Sequence, residues 1–173
     1  MVSYTGAGQV LKSDVRYVKW VGKTKGGQEV SIELERAICR SNPDWAFEEK
    51  NDTTAALEFE GLYTDENLAK DDLTEPWKLT TADGVVEGAA EIILRVGAFY
   101  IGTNASDAKR VGLTRGGGSF VVERNYRDIN ADDDPGSVEG RIDKTEGRPK
   151  LKFTALQWLT KVSSLYSCIK TVT

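Results

Sequence analysis

At 173 residues the chain is one domain's worth of material, and folding at this size removes roughly 70% of the extended surface from water, so no disulfide staples are needed for a core. Its 27 acidic against 23 basic residues, a net charge of −4, argue against affinity gained by neutralising nucleic-acid phosphates. Histidine is absent and the cysteines are two, Cys39 and Cys168, without Cys-x-x-Cys spacing; this removes the commonest acid–base group and metal ligand, every Ser/His/Asp or Cys/His arrangement, thiolate zinc sites and a disulfide framework.

In chain order, residues 1–14 are rich in Gly, Ser and Thr and read as a loose lead-in, and no secretory leader is expected because Met1-Val2-Ser3-Tyr4 runs into glycine rather than an apolar segment. Val15 to Val21 alternates with apolar groups on both faces and predicts a strand. After the Gly26-Gly27 turn, Gln28 to Ile38 shows period-two alternation: Val30, Ile32, Leu34 and Ile38 point one way, and Glu29, Ser31, Glu33 and Glu35 the other. Ser41-Asn42-Pro43-Asp44 supplies turn chemistry, and Thr53 to Phe59 returns with Leu57 and Phe59 opposite Glu58 and Glu60, so a long hairpin with one apolar and one acidic face is expected. A helical turn is predicted at Glu66 to Ala69, and residues 83–90 read as a linker.

Ile92 to Ala98 alternates again, and its apolar run, ended by Arg95, is far too short to span a bilayer. A second hairpin is expected from Ser119 to about Asn130 and back from about Ser137 to Thr154, with Asp132-Asp133-Asp134-Pro135-Gly136 at its tip. Its distal part has too few apolar residues for a core and predicts a projecting contact arm. A helix is predicted from the capping box Thr154-Ala155-Leu156-Gln157, with Trp158, Val162, Leu165 and Ile169 as its buried stripe, before a β-branched tail from Ile169 to Thr173 that can join a sheet edge.

The chain repeats itself. Val21-Gly22-Lys23-Thr24-Lys25-Gly26-Gly27 returns as Val111-Gly112-Leu113-Thr114-Arg115-Gly116-Gly117, and Leu57-Glu58-Phe59-Glu60-Gly61-Leu62 is answered by Leu151-Lys152-Phe153-Thr154-Ala155-Leu156. One supersecondary unit used twice predicts a single domain, residues 1–173, of two pseudo-repeat halves, about 1–82 and 91–173.

Few residues point to chemistry. The triple aspartate lacks the Asp-x-Asp-x-Asp-Gly spacing of a calcium loop and reads as a hairpin tip. Gly116-Gly117-Gly118 lacks the Gly-Lys-Ser/Thr ending of a phosphate loop and precedes a strand. Trp20, Trp45 and Trp77 leave a monomeric carbohydrate-binding β-sandwich as an alternative to core packing. No catalytic residue, metal or cofactor is expected.

Three segments, Gly97-Ala98-Phe99-Tyr100-Ile101-Gly102, Val111 to Phe120 and Pro149 to Leu156, together with Asn42-Pro43-Asp44, Leu57 to Tyr63 and Glu75-Pro76-Trp77-Lys78, make the chain similar to the major tail tube proteins of long-tailed bacteriophages. In that family the part resembling residues 90–173 comes first and the part resembling residues 1–82 second. The reversed order implies a circular permutant joined through Ala82 to Ala90, unless the internal repeat itself creates the pairing; a permutant should have Met1 and Thr173 on one side of the body.

The resemblance implies a mainly β fold, a β-sandwich or half-barrel of two long hairpins with one flanking α-helix. It implies hexameric rings, stacked into a tube, that conduct DNA at ejection in a virion tail assembled in the host cytoplasm. Partners would be other copies, the tape measure and the tail terminator, with passing DNA not specifically bound and no membrane. A tail terminator, baseplate or secretion-tube subunit is the alternative. In such a ring Glu29, Glu33, Glu35, Glu58, Glu60 and Glu123 would outnumber Lys150, Lys152 and Arg127 on the lumen, giving a net acidic wall that repels phosphates. The arm, with Asp132, Asp133, Asp134, Arg141, Lys144 and Arg148, would reach a neighbouring ring and order on contact.

Overall fold

The computed structural model describes residues 3–6, 8–23, 27–42, 54–68, 74–81, 97–112, 114–129, 139–156 and 169–172. The strands are β1 (Ser3–Gly6), β2 (Arg16–Lys23), β3 (Glu29–Cys39), β4 (Ala55–Gly61), β5 (Lys78–Thr81), β6 (Ala98–Gly102), β7 (Lys109–Arg110), β8 (Thr114–Asp128), β9 (Ile142–Ala155) and β10 (Ile169–Val172). Helix is confined, among the described residues, to a 3-10 turn at Lys12–Asp14 and the four-residue α1 (Asp65–Leu68). The mainly β expectation holds, while most of the helix expected from Thr154 onward, residues 157–168, lies outside the described residues.

Eight strands form one antiparallel sheet in the order β7-β6-β2-β3-β4-β9-β8, with β5 against the free part of β3. A flat sheet of seven strands would hold its two edges about 29 Å apart at the usual spacing of about 4.8 Å. Yet β7 and β8, at opposite ends of that order, are joined by residues 111–113, a link that reaches about 14 Å at full extension. The sheet is therefore rolled, and the side chains agree: Phe99 of β6 stacks on Phe153 of β9 with centroids 4.0 Å apart, and the Val111 N–H donates to the Phe99 carbonyl at 2.8 Å. A half-barrel results, its core inside the roll.

The repeat explains the middle of the sheet. Leu57 faces Phe153 and Phe59 faces Leu151 across β4 and β9, so the two similar segments are antiparallel neighbours about a local two-fold on which Glu58 meets Lys152. β3 and β8 flank that pair on either side. The predicted inward face is found there: Leu34, Leu57, Phe59, Leu151 and Phe153 are in the buried core with Phe120 packed against it, and Val30 and Ile32 are buried beside them.

Four expectations are corrected. Ile38 leaves the inward face, because a bulge in β3 between the pairs Arg16/Ala37 and Val18/Leu34 adds a residue and flips the alternation; Ala37 and Cys39 continue the core instead. The first long hairpin is short among the described residues, where β3 and β4 pair from Ala37↔Gly61 to Cys39↔Phe59, while β5 pairs with Val30 to Glu33 on that edge of β3. Thr154 and Ala155 belong to β9, paired with Ala56, Ala55, Arg115 and Thr114, so ladder pairing overrides the local capping signal. The lead-in contains β1, whose partner β10 lies at the other end of the chain, and composition cannot reveal a partner so distant. That same pairing, Ser3↔Val172 to Gly6↔Ile169, places both chain ends side by side and puts the β-branched tail in a strand, as expected.

Candidate assembly interface

The hairpin of β8 and β9 outgrows the body. Pairing continues out to Asp128↔Ile142 and ends with the Ile129 N–H donating to the Arg141 carbonyl at 2.8 Å. Beyond Val122 and Pro149 its side chains turn to solvent, and Tyr126 (61%), Ile129 (49%) and Ile142 (49%) are large apolar groups left exposed near its end. This is the predicted arm, and its described part is a paired ribbon; Asp132, Asp133 and Asp134 lie outside the described residues.

At the root of the ribbon sits a carboxylate that sequence reading missed. Glu75 accepts from Arg124 Nε at 2.8 Å and Nη2 at 3.0 Å, from Lys144 Nζ at 2.8 Å and from the Trp77 indole N–H at 2.5 Å. The bidentate Arg124 contact, together with Lys144 and Trp77, outweighs burial and holds the Glu75 carboxyl well below the ordinary carboxylate range. A Cβ on Gly147, the residue opposite Arg124, would lie 2.8 Å from Tyr63 Oη and 3.1 Å from Glu75 Oε1, so glycine makes room for this approach. Lys144 is thus engaged within its own chain, Arg148 pairs with Glu146 at 3.3 Å, and Arg141 is exposed. The only local hint was Glu75 next to Pro76-Trp77 in a polar stretch, which says nothing about a partner 49 residues away.

The residues expected to make an acidic wall lie mainly on the outer face of the sheet and are largely neutralised. Lys152 bonds Glu58 at 2.7 Å, and Lys150 bonds Glu123 at 2.7 Å and lies 3.7 Å from Glu58. Glu60, buried, is paired with Arg40 at 3.2 Å, and Glu33 with Lys19 at 2.8 Å; Lys78 faces Glu33 across β3 and β5. Glu29 and Glu35 remain exposed. The excess of acid expected from one face is offset by Lys19 of β2, Arg40 after β3 and Lys78 of β5, which join Lys150 and Lys152 there. Replacing Glu58 with alanine should cost about 0.5–1 kcal/mol in low salt and less in high salt, read from urea midpoints.

Tyr17 adds a pH marker on this face. Burial disfavours its phenolate and the hydrogen bond with Glu33 adds to this, so its pKa lies above the usual value. A folded pKa above the unfolded one gives stability that is complete below about pH 10 and lost as pH rises toward the folded value. Tyr17→Phe should therefore flatten the alkaline limb of a stability profile from about pH 10 upward, and an unchanged limb would show that the phenol does not contribute.

Inside the roll, Trp20, Val30, Ile32, Trp77, Leu79, Phe99, Phe120 and Leu151 line an open cleft of about 780 Å³ together with Gly116, Gly117 and Gly118. None of the described side chains lining it titrates between pH 3 and 9, so these side chains supply no group for general acid–base chemistry. Trp20 and Trp77 both line this cleft and are half-buried; Trp45 is outside the described residues. Compared with known proteins, the chain matches no family model, no curated protein and no solved structure.

Proposed function

We propose that this protein is a structural subunit that assembles through its strand edge and its arm into rings stacked as a tube, the tail tube of a long-tailed bacteriophage. The observation that carries the reading is β8: a 15-residue strand at the end of the sheet, without a strand partner on its outer side among the described residues, that runs on into a ribbon projecting from the body. Long edges left open in a monomer template pairing with another chain, and a neighbouring subunit closes them in a ring. The mixed charge ladder on the outer face suits a wall along which a polyanion slides without being trapped. The paired strands β1 and β10 support the permuted chain order, since ends this close can be joined without disturbing the body. Tape measure and terminator proteins are the further partners of this reading.

Negative-stain imaging of the concentrated protein in low salt tests it. Rings or tubes are expected, fewer at high salt, and a variant with residues 126–143 replaced by an Asn-Gly turn should fold but fail to stack. A protein that stays monomeric at millimolar concentration would overturn the tube reading, and binding to a glycan array through the Trp20 and Trp77 cleft would replace it with the carbohydrate-binding one.

A further inference from the structure

We propose that Glu75 is a latch that sets the direction of the arm on the body. Two further ion pairs of the ribbon, Arg127 with Asp143 at 3.0 Å and Arg148 with Glu146 at 3.3 Å, are internal to it and stiffen it without anchoring it, and Glu123 at its base bonds Lys150 at 2.7 Å from one strand only. Glu75 instead belongs to the strap between α1 and β5, and it grips both strands of the ribbon at once: Arg124 from β8 and Lys144 from β9. The two cations reach one carboxylate because of a register shift between Asn125 and Tyr126. It sets Tyr126 opposite Lys144, so Lys144 shares the face of Arg124, and Gly147 opposite Arg124 leaves the space into which Glu75 fits.

The strap is itself held to the body. Trp77, two residues on, donates its indole N–H to Glu75, tilts against Phe120 with ring centroids 5.3 Å apart and packs on the core; Lys78 then starts the ladder of β5 with β3. The Glu75 side chain is 11% exposed while its partners Arg124 and Lys144 are 41% and 33% exposed, so the carboxylate is the enclosed member of the cluster. Removing its charge leaves two cations facing each other at the ribbon root with nothing to hold them together. The ribbon then pivots about its attachment near Val122 and Pro149 while its own pairing survives.

The latch acts within one subunit, and its role in stacking rests on the tube reading, so the two are tested separately. Hydrogen exchange of the unassembled protein is compared between the natural chain, Glu75→Gln and the control Asp143→Asn, which breaks only an exposed pair inside the ribbon. In Glu75→Gln the amides of residues 123–127 and 143–147 should exchange about tenfold faster, with the amides of β3 and β4 unchanged. Asp143→Asn should leave the ribbon root as it is. The exchanged pair Glu75→Arg with Arg124→Glu should recover part of the protection, which a merely misfolded variant could not. Equal exchange in Glu75→Gln and the natural chain, or loss of protection across β3 and β4 as well, would overturn the latch. If the root loosens while ring stacking is unaffected, the latch stands and the arm's role in stacking fails.

Discussion

Replacing Phe153 with alanine is expected to destabilise the protein by about 3–5 kcal/mol, measured as a shift of the urea midpoint at unchanged slope. Phe153 is 4% exposed, stacks on Phe99 at 4.0 Å and lies 6.0 Å from Phe59. It is the contact between the two limbs of the rolled sheet, so truncation both removes apolar area from the core and opens a void where β6 closes over β9. Lys152→Ala, one residue away on the outer face, is the control and should cost less than about 1 kcal/mol, because it loses only a half-exposed ion pair. A Phe153→Ala loss no larger than this control would mean that the limbs do not meet at this ring.

A second large effect should come from adding a single methyl group. The Cβ of an alanine at Gly118 would lie 2.5 Å from Phe99 Cζ and 2.7 Å from the Lys152 carbonyl oxygen. The ring is held by its stack on Phe153 and the carbonyl belongs to the ladder of β8 and β9, so neither neighbour yields freely. Overpacking of this kind costs about 1–3 kcal/mol, and Gly118→Ala should show it as a lowered melting temperature. The comparison is Gly116→Ala. Nothing lies within 4 Å of its Cβ, but its φ of +74° makes alanine cost about 1–2 kcal/mol through backbone strain alone. Adding Phe99→Ala should restore part of the loss caused by Gly118→Ala and none of that caused by Gly116→Ala, which separates crowding from strain.

The residues that alternate strictly were legible without coordinates. Val30, Ile32 and Leu34, and later Leu57, Phe59, Leu151 and Phe153, define an inward face by period two alone, and of the unit read as used twice the stretches around Leu57 and Phe153 lie side by side. The exposed ribbon was legible as well, because its distal part has too few apolar residues to form a core. Tertiary structure decided what depends on distant partners. The bulge that replaces Ile38 with Ala37 and Cys39 is visible only in the register of β2 on β3, and β5 exists because β3 offers it an edge. Thr154 reads locally as a helix cap but completes a ladder begun a hundred residues earlier. The carboxylates read as a net acidic face also meet Lys19, Arg40 and Lys78, which only the fold brings there, and Glu75, silent in its own neighbourhood, gains Arg124 and Lys144 because the rolled sheet carries the arm's root past it. Alternation is local and survives in sequence, whereas register, closure and ion pairing are sums over contacts between segments far apart in the chain.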